Sequence, residues 1–177
     1  MRYRRAISAG GTFFFTVNLE NRSSRLLIEK IEALRESVRK VYLARPMDIV
    51  AMVILPDHLH AVWTLPFGDS DYPQRWSLIE ASFSKGIDKG EPIKRSRRRK
   101  RERGIWQRRY WEHQVLDDDD FERHIDYIHF NPVKHGYVAA PVEWPYSSVH
   151  RYVREGILTV DWAAGAKIPD GAFGERG

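Results

Sequence analysis

Two histidines at alternate positions form the first group in this sequence that could do chemistry. His58 and His60 follow Pro56-Asp57 directly, within an apolar segment (residues 52–65) that predicts two strands separated by a turn. Side chains alternate between the faces of a strand, so both imidazoles project from one face and could hold a metal ion. The alternative is a sheet face that is merely polar, because a His-x-His pair is a short pattern.

A tyrosine and an asparagine one helical turn apart form the second group. Tyr127 and Asn131 lie in a segment that begins after four aspartates, and acidic residues favour a helix N-terminus. Residues four apart share one side of a helix, so both could reach the histidine face. A tyrosine hydroxyl near a metal ion can attack a phosphodiester. The alternatives are an aromatic packing residue and a helix-ending residue before Pro132.

Positive charge is concentrated in residues 94–103, which contain eight basic residues and one acidic residue in a chain whose total charge is +5. The rest of the chain is therefore slightly acidic. A mobile cationic loop of this kind provides salt-sensitive contacts with nucleic-acid phosphates. The alternative is a solvated loop. The candidate DNA-binding residues are Lys94, Arg95, Arg97, Arg98, Arg99, Lys100, Arg101 and Arg103.

The composition of the chain limits its class. Its 177 residues, of which 42% are hydrophobic, suit one domain with a buried core. The absence of cysteine excludes disulfides, thiolate metal sites and a cysteine nucleophile. The sequence has no apolar run long enough to cross a bilayer and no signal-peptide pattern at its start. We therefore expect a cytoplasmic protein without a membrane partner.

Hydrophobic patterns predict the elements that position these residues. We expect strands at 12–19, 49–55, 58–65 and 105–116, and helices at 24–43, around 79–87, at 119–131 and up to Arg154. The order strand, helix, strand, strand, helix, strand indicates an α+β, ferredoxin-like or RRM-like sandwich with two helices on one sheet face. The helix 119–131 is the natural cover of the other face, and the tail from Asp170 is expected to be loose.

Several motifs, in this order and spacing, resemble a known family. His58-Leu59-His60 fits the histidine-hydrophobe-histidine motif of HUH single-strand endonucleases. The tyrosine helix resembles that of the single-tyrosine insertion-sequence transposases in that class. Four further motifs look like those of the REP-associated tyrosine transposases, bacterial proteins encoded beside repetitive extragenic palindromes: Trp106-Gln107, Trp111-Glu112-His113, Tyr127–Gly136 and Trp144–Ser148. The resemblance covers roughly Arg4 to Trp162.

This resemblance implies an enzyme that nicks and joins single-stranded DNA at palindromic hairpins. His58 and His60 would bind Mg²⁺ or Mn²⁺, and Tyr127 would attack one strand to leave a 5′-phosphotyrosine and a free 3′-hydroxyl. Related transposases carry a polar residue, commonly glutamine, four positions after the tyrosine. The shorter Asn131 stands there in this chain and is the expected third metal ligand. Glu112 and His113 match a family pattern and are candidates for active-site support.

The resemblance also sets expectations for domains, partners and location. Residues 1–136 would form the HUH nuclease domain with the basic loop 94–103, and residues 137–177 a C-terminal extension, with a short helix, packed on the same domain. The protein would act at the bacterial nucleoid as a monomer or a homodimer. The alternative function is a non-catalytic protein that binds hairpin DNA or RNA, because a ferredoxin-like sheet also describes RNA-recognition domains.

Overall fold

The computed structural model describes residues 10–166. The strands are β1 (Thr12–Asn18), β2 (Asp48–Ile54), β3 (His58–Thr64) and β4 (Trp111–Gln114). The helices are α1 (Leu26–Glu29), α2 (Ile31–Ala44), α3 (Tyr72–Lys85), α4 (Arg95–Arg99), α5 (Asp118–Lys134) and α6 (Val149–Arg154), with a 3₁₀ turn at Pro141–Glu143. The expectations for the first nine residues and for the tail from Asp170 lie outside the described residues.

The four strands form one sheet in the order β2-β3-β1-β4. Every neighbouring pair is antiparallel, and in the central pair Thr16 stands opposite His60 and Phe14 opposite Val62. This order and direction confirm the predicted α+β, ferredoxin-like sandwich. The hairpin of β2 and β3 places both histidines on a central strand, where pairing on both sides fixes their direction.

The two faces of the sheet carry separate hydrophobic clusters. Phe15, Val17, Leu59 and Trp63 pack with residues of α2 and α3 on one face. The other face packs against α5 and the segment after it through the residues Phe14, Val53, Val62, Ile125, Ile128 and Val149. The alternation along β1 and β3 confirms that His60 and Trp63 point to opposite faces, and that α5 covers the histidine face.

Five elements differ from the predicted ones, and one of them is α3, which begins at Tyr72 although the sequence predicted a turn there. The first helix is broken at Lys30, whose φ of −115° and ψ of 34° leave the helical region, while Leu27 N–H is engaged by the carbonyl of Pro56. The last strand is shorter than expected because only Trp111–Gln114 pairs with β1 in a continuous ladder. The expected basic loop contains the helix α4, and α5 continues through Pro132 to Lys134.

The segment after α5 binds the edge strand β2. Trp144 Nε1 donates to the carbonyl of Ile54 (2.9 Å), Ser148 N–H donates to that of Met52 (2.8 Å), and Tyr152 Oη donates to that of Val50 (2.9 Å). These bonds cover a sheet edge that would otherwise expose unpaired backbone groups. The division of the chain at residue 136 stays a prediction. Among residues 10–166, no helix is long and apolar enough to cross a membrane.

Candidate active site

The two histidines of β3 are buried and held by neighbouring side chains. His60 Nδ1 shares a hydrogen bond of 2.8 Å with Thr16 Oγ1 on the adjacent strand, and His58 Nδ1 donates to Asp57 Oδ1 at 2.8 Å. The two ring centroids lie 5.1 Å apart at 85°. A hydrogen bond through one ring nitrogen fixes the orientation of an imidazole, as it does in metal-ligating histidines.

Asp57 is the anion that supports His58. Its carboxylate also receives Arg22 Nε at 2.7 Å. Burial alone raises the pKa of Asp57, but the hydrogen bond and charge of His58 and the charge of Arg22 outweigh burial and hold that pKa below its ordinary value. The group is therefore a carboxylate at neutral pH and can orient the imidazole.

Tyr127 lies against this histidine pair. Its ring meets His60 edge-on with centroids 5.2 Å apart, and it meets Phe14 edge-on at 6.1 Å. Both partners come from the sheet face that α5 covers, because β1 and β3 place Phe14 and His60 on it. The structure thus brings together one of the predicted metal ligands and the predicted nucleophile.

Asn131 follows one turn after Tyr127 on the same side of α5. Its side chain is completely buried, as expected for a residue on the face that α5 turns toward the sheet. Two imidazoles and an amide oxygen suit an octahedral divalent ion, and nitrogen ligands favour manganese over the harder magnesium. This donor set fits the implied cofactor. Metal coordination by His58, His60 and Asn131 stays a prediction.

Two residues at the end of α5 complete the surroundings and were missed in the sequence. Lys134 Nζ donates to Tyr127 Oη at 3.1 Å and also lies 4.8 Å from the centre of that ring. The His135 ring centroid lies 5.1 Å from that of His58. Helical spacing could have found both, because positions seven and eight after Tyr127 return to the same helix side. Pro132 concealed that signal by predicting an earlier helix end.

The two candidates for active-site support point to opposite faces of β4. Glu112 stands opposite Phe15 on the α3 side, where burial and the Glu112 charge together raise the pKa of Tyr72. His113 stands opposite Phe14 on the α5 side, and its Nε2 donates to Asp120 Oδ2 at 2.7 Å. The strand alternation therefore separates them, and Glu112 lies on the face away from Tyr127.

The basic segment is partly structural. Arg97 is buried and pairs with Glu20 (Nη2 to Oε2, 2.9 Å). Arg103 pairs with Glu91 (Nε to Oε1, 2.6 Å), and hydrogen bonding to Arg103 lowers the pKa of Glu91 to about 2. Mutual repulsion predicted a mobile loop, but these two carboxylates neutralise two of the positive charges, and part of the segment forms the helix α4.

The remaining cations of this segment lie on the surface. The exposed ones are Lys94, Arg95, Arg98, Arg99, Lys100 and Arg101. Lys94 Nζ contacts Glu20 at 2.6 Å. A cavity of about 790 Å³ opens beside the segment, between α3 and residues 101–108, and its basic lining residues are Lys85, Lys89, Arg97, Arg101, Arg103 and Arg108. Such a surface attracts polyanions.

Comparison with known proteins places the chain in a family. No protein-family model matches it. The REP-associated tyrosine transposase of Escherichia coli (strain K12) is 42% identical over 174 residues, which are 98% of this chain and 96% of that protein. The chain belongs to the REP-associated tyrosine transposase family. A family relative from Haemophilus influenzae is 42% identical over 161 residues, which are 90% of this chain and 92% of that protein.

A solved structure of this family agrees with the fold. A REP-associated tyrosine transposase bound to a REP hairpin matches with a TM-score of 0.81 and 42% identity, over 98% of this chain and 96% of that one. The family that the sequence motifs resemble is thereby confirmed. The fold of this chain also agrees with that of the solved family member. The roles of the individual site residues stay predictions.

Proposed function

We propose that this chain is a metal-dependent, HUH-type single-strand DNA endonuclease and strand transferase that acts on palindromic, REP-like hairpin DNA. The observation that carries the proposal is the contact of Tyr127 with His60, because it joins a nucleophile to a metal ligand. The relative bound to a REP hairpin supports hairpin DNA as the partner. Fold alone would not support an activity.

In the proposed reaction, the Tyr127 phenol oxygen attacks the phosphorus of one DNA strand. A bond forms between the tyrosine oxygen and the 5′-phosphate, and the bond to the 3′ oxygen breaks. The phenol releases its proton to solvent as it attacks, and the departing oxygen takes up a proton and leaves as a 3′-hydroxyl. The phosphotyrosine conserves the energy of the broken ester, so a 3′-hydroxyl can later displace the tyrosine without a nucleotide cofactor.

Neighbouring side chains support each part of this step. The Lys134 ammonium, 3.1 Å from Tyr127 Oη, stabilises negative charge on the attacking oxygen. His58, His60 and Asn131 would hold Mg²⁺ or Mn²⁺, which polarises a phosphodiester and stabilises its transition-state charge. Thr16 and Asp57 keep the two imidazoles oriented.

The exposed cations of α4 and its flanks would contact the DNA backbone. Arg95, Arg98 and Arg99 lie on the helix α4 and the other three flank it, while Arg97 and Arg103 are ion-paired. An ordered cationic surface loses less conformational freedom on binding than a mobile loop does. We assign phosphate contacts to the exposed members and a structural role to the two paired arginines.

The test is covalent trapping. The full-length protein is incubated with a single-stranded REP-like hairpin oligonucleotide and Mg²⁺ or Mn²⁺, and the adduct is measured on a denaturing gel. Wild-type protein forms an adduct and Tyr127→Phe forms none. Tyr137→Phe is the matched control, because Tyr137 is an exposed tyrosine beyond α5 and should retain the adduct. Absence of adduct from folded wild-type protein with both metals would overturn the proposal.

A second candidate function is hairpin binding without cleavage. Tyr127 is only 3% exposed, so a phosphodiester reaches its oxygen only if the surroundings of α5 open. Hairpin binding by wild-type protein together with no adduct under either metal supports this candidate. Monomeric or homodimeric state and nucleoid association stay predictions, and sedimentation with and without the hairpin checks the first.

A further inference from the structure

A cluster of three potential ligands lies at the junction of β4 and α5, apart from the histidine pair of β3. His113 comes from β4, Asp120 from the first turn of α5 and His124 from the next turn. One ligand atom of each lies within 4.8 Å of the others. Asp120 and His124 are buried, whereas the His113 side chain is 30% exposed. Protein therefore surrounds Asp120 and His124, and solvent reaches the cluster at His113.

We propose that His113, Asp120 and His124 form a second divalent-cation site, which takes zinc. Two imidazoles and one carboxylate are the donor set of three-ligand zinc sites, in which water fills the fourth position. Such a set binds zinc more tightly than it binds Mg²⁺ or Ca²⁺, because those two ions prefer oxygen ligands and larger coordination numbers. This proposal is independent of the proposed nuclease function.

Existing hydrogen bonds already orient the three ligands. Asp120 Oδ2 receives His113 Nε2 at 2.7 Å and Leu116 N–H at 3.1 Å, and the carbonyl of Asp120 receives His124 Nδ1 at 2.7 Å. Zinc ligands stand about 3.4 Å from one another when each is about 2.1 Å from the ion. Rotation of the partly exposed His113 side chain is the movement that closes the site, and zinc takes the place of the proton that Nε2 donates.

One cation already pairs with the carboxylate of Asp120 and would compete with zinc. The nearby cation is Arg123, whose Nη2 lies 2.6 Å from Asp120 Oδ1. Its side chain is 63% exposed and can turn to solvent.

Zinc at this position would fix α5, the helix that carries Tyr127, to the edge strand β4. The His124 ring lies 4.6 Å from that of Phe14, and Phe14 lies 6.1 Å from the Tyr127 ring. A cation that joins β4 to the first two turns of α5 therefore constrains the helix segment that leads to Tyr127. Without zinc, the same three groups form a hydrogen-bonded network, and the experiment distinguishes the two states.

The test measures zinc bound to metal-stripped, full-length protein by competition with a chromophoric zinc chelator in excess Mg²⁺. We expect His113→Gln and His113→Gln/His124→Gln to lower the affinity for one equivalent of zinc by at least about tenfold. His58→Asn/His60→Asn and the control His150→Gln should retain that equivalent, because His150 is an exposed histidine that contacts the carbonyl of Trp144. Unchanged zinc affinity in the two His113 variants would overturn the site.

A measurement on the wild-type protein removes any dependence on variant folding. Crystals grown with zinc are examined for anomalous scattering at the zinc absorption edge. A peak among His113, Asp120 and His124 supports the proposal. The lack of an anomalous peak at this junction contradicts the proposal, even if a peak is found at His58 and His60.

Discussion

The Tyr127 ring packs edge-on against the His60 imidazole with ring centroids 5.2 Å apart. The two residues belong to different elements, α5 and β3, and meet because α5 covers the face of the sheet that carries the histidine. Lys134, at the end of the same helix, donates a hydrogen bond to the tyrosine oxygen. Thr16, on the neighbouring strand of the sheet, shares a hydrogen bond with His60. The candidate nucleophile and a candidate metal ligand are thus each oriented by a residue of their own layer.

Replacement of His58 separates cleavage from DNA binding. In His58→Asn, we expect adduct formation to fall at least about 100-fold because a metal ligand is lost. Hairpin affinity, measured by fluorescence anisotropy, should change less than about threefold, since phosphate contacts lie mainly elsewhere. His150→Gln controls for the loss of a histidine. A parallel collapse of affinity in folded His58→Asn would instead assign the histidine to DNA recognition.

The charge of Lys134 should affect how the rate of cleavage depends on pH. Lys134→Gln should slow adduct formation roughly tenfold near neutral pH, because the charge that stabilises the Tyr127 oxygen is lost. The deficit should shrink as pH rises and hydroxide ionises more of the phenol. Lys134→Arg should restore most of the rate. A deficit that is constant across the pH range, and is not restored by arginine, would indicate a purely structural role.

Exposed and buried arginines of α4 should behave differently. Arg95→Gln/Arg98→Gln/Arg99→Gln should make the slope of log affinity against log salt less negative, by up to about 0.9 for each lost phosphate contact, and leave the fold intact. Arg97→Gln should leave the slope unchanged and lower the free energy of unfolding by roughly 2 kcal/mol, because Glu20 loses its buried partner. Salt titration of hairpin binding and urea unfolding check both. An unchanged slope in the triple variant would exclude these three residues from DNA contact.

Glu80 on α3 makes stability depend on pH. Burial raises its pKa from 4.5 to about 7, so the folded protein holds a proton that the unfolded chain releases above 4.5. The free energy of unfolding should therefore fall as pH rises from 4.5 to 7 and level off above it. The expected loss is on the order of 2 kcal/mol after allowance for screening at a half-buried site.

Glu80→Gln tests this dependence. The variant should match wild type below pH 4.5 and exceed its stability by that amount above pH 7. Urea unfolding at both pH values measures the difference. Glu32→Gln is the control because Glu32 is an exposed glutamate of α2 that pairs with Arg35. Equal pH dependence in wild type and Glu80→Gln would contradict the assignment.

Alternation and helical spacing in the sequence predicted the sheet, its two faces and the position of α5. Local rules suffice for these features, because strand alternation alone sends His60 and Trp63 to opposite faces and a four-residue spacing alone aligns Tyr127 with Asn131. At Pro132 the same rules predicted at most a distorted turn over residues 133–135, whereas the helix continues to Lys134 and brings it to the tyrosine oxygen. Pro132 removes one N–H donor from the helix, but the chain after it still closes the last turn, because His135 N–H donates to the carbonyl of Asn131 at 3.0 Å.

The sequence by itself determined the family, the order of the elements and the candidate nucleophile and metal ligands, because these depend on residue types and on spacing along one element. Only the tertiary structure decided which charges are surface and which are internal. Arg97 and Arg103 look like their neighbours in the sequence, but Glu20 and Glu91 come from elsewhere in the chain to pair with them. The junction of His113 with Asp120 and His124 likewise exists only because β4 and α5 meet. Contacts between elements depend on packing, which spacing within one element does not encode.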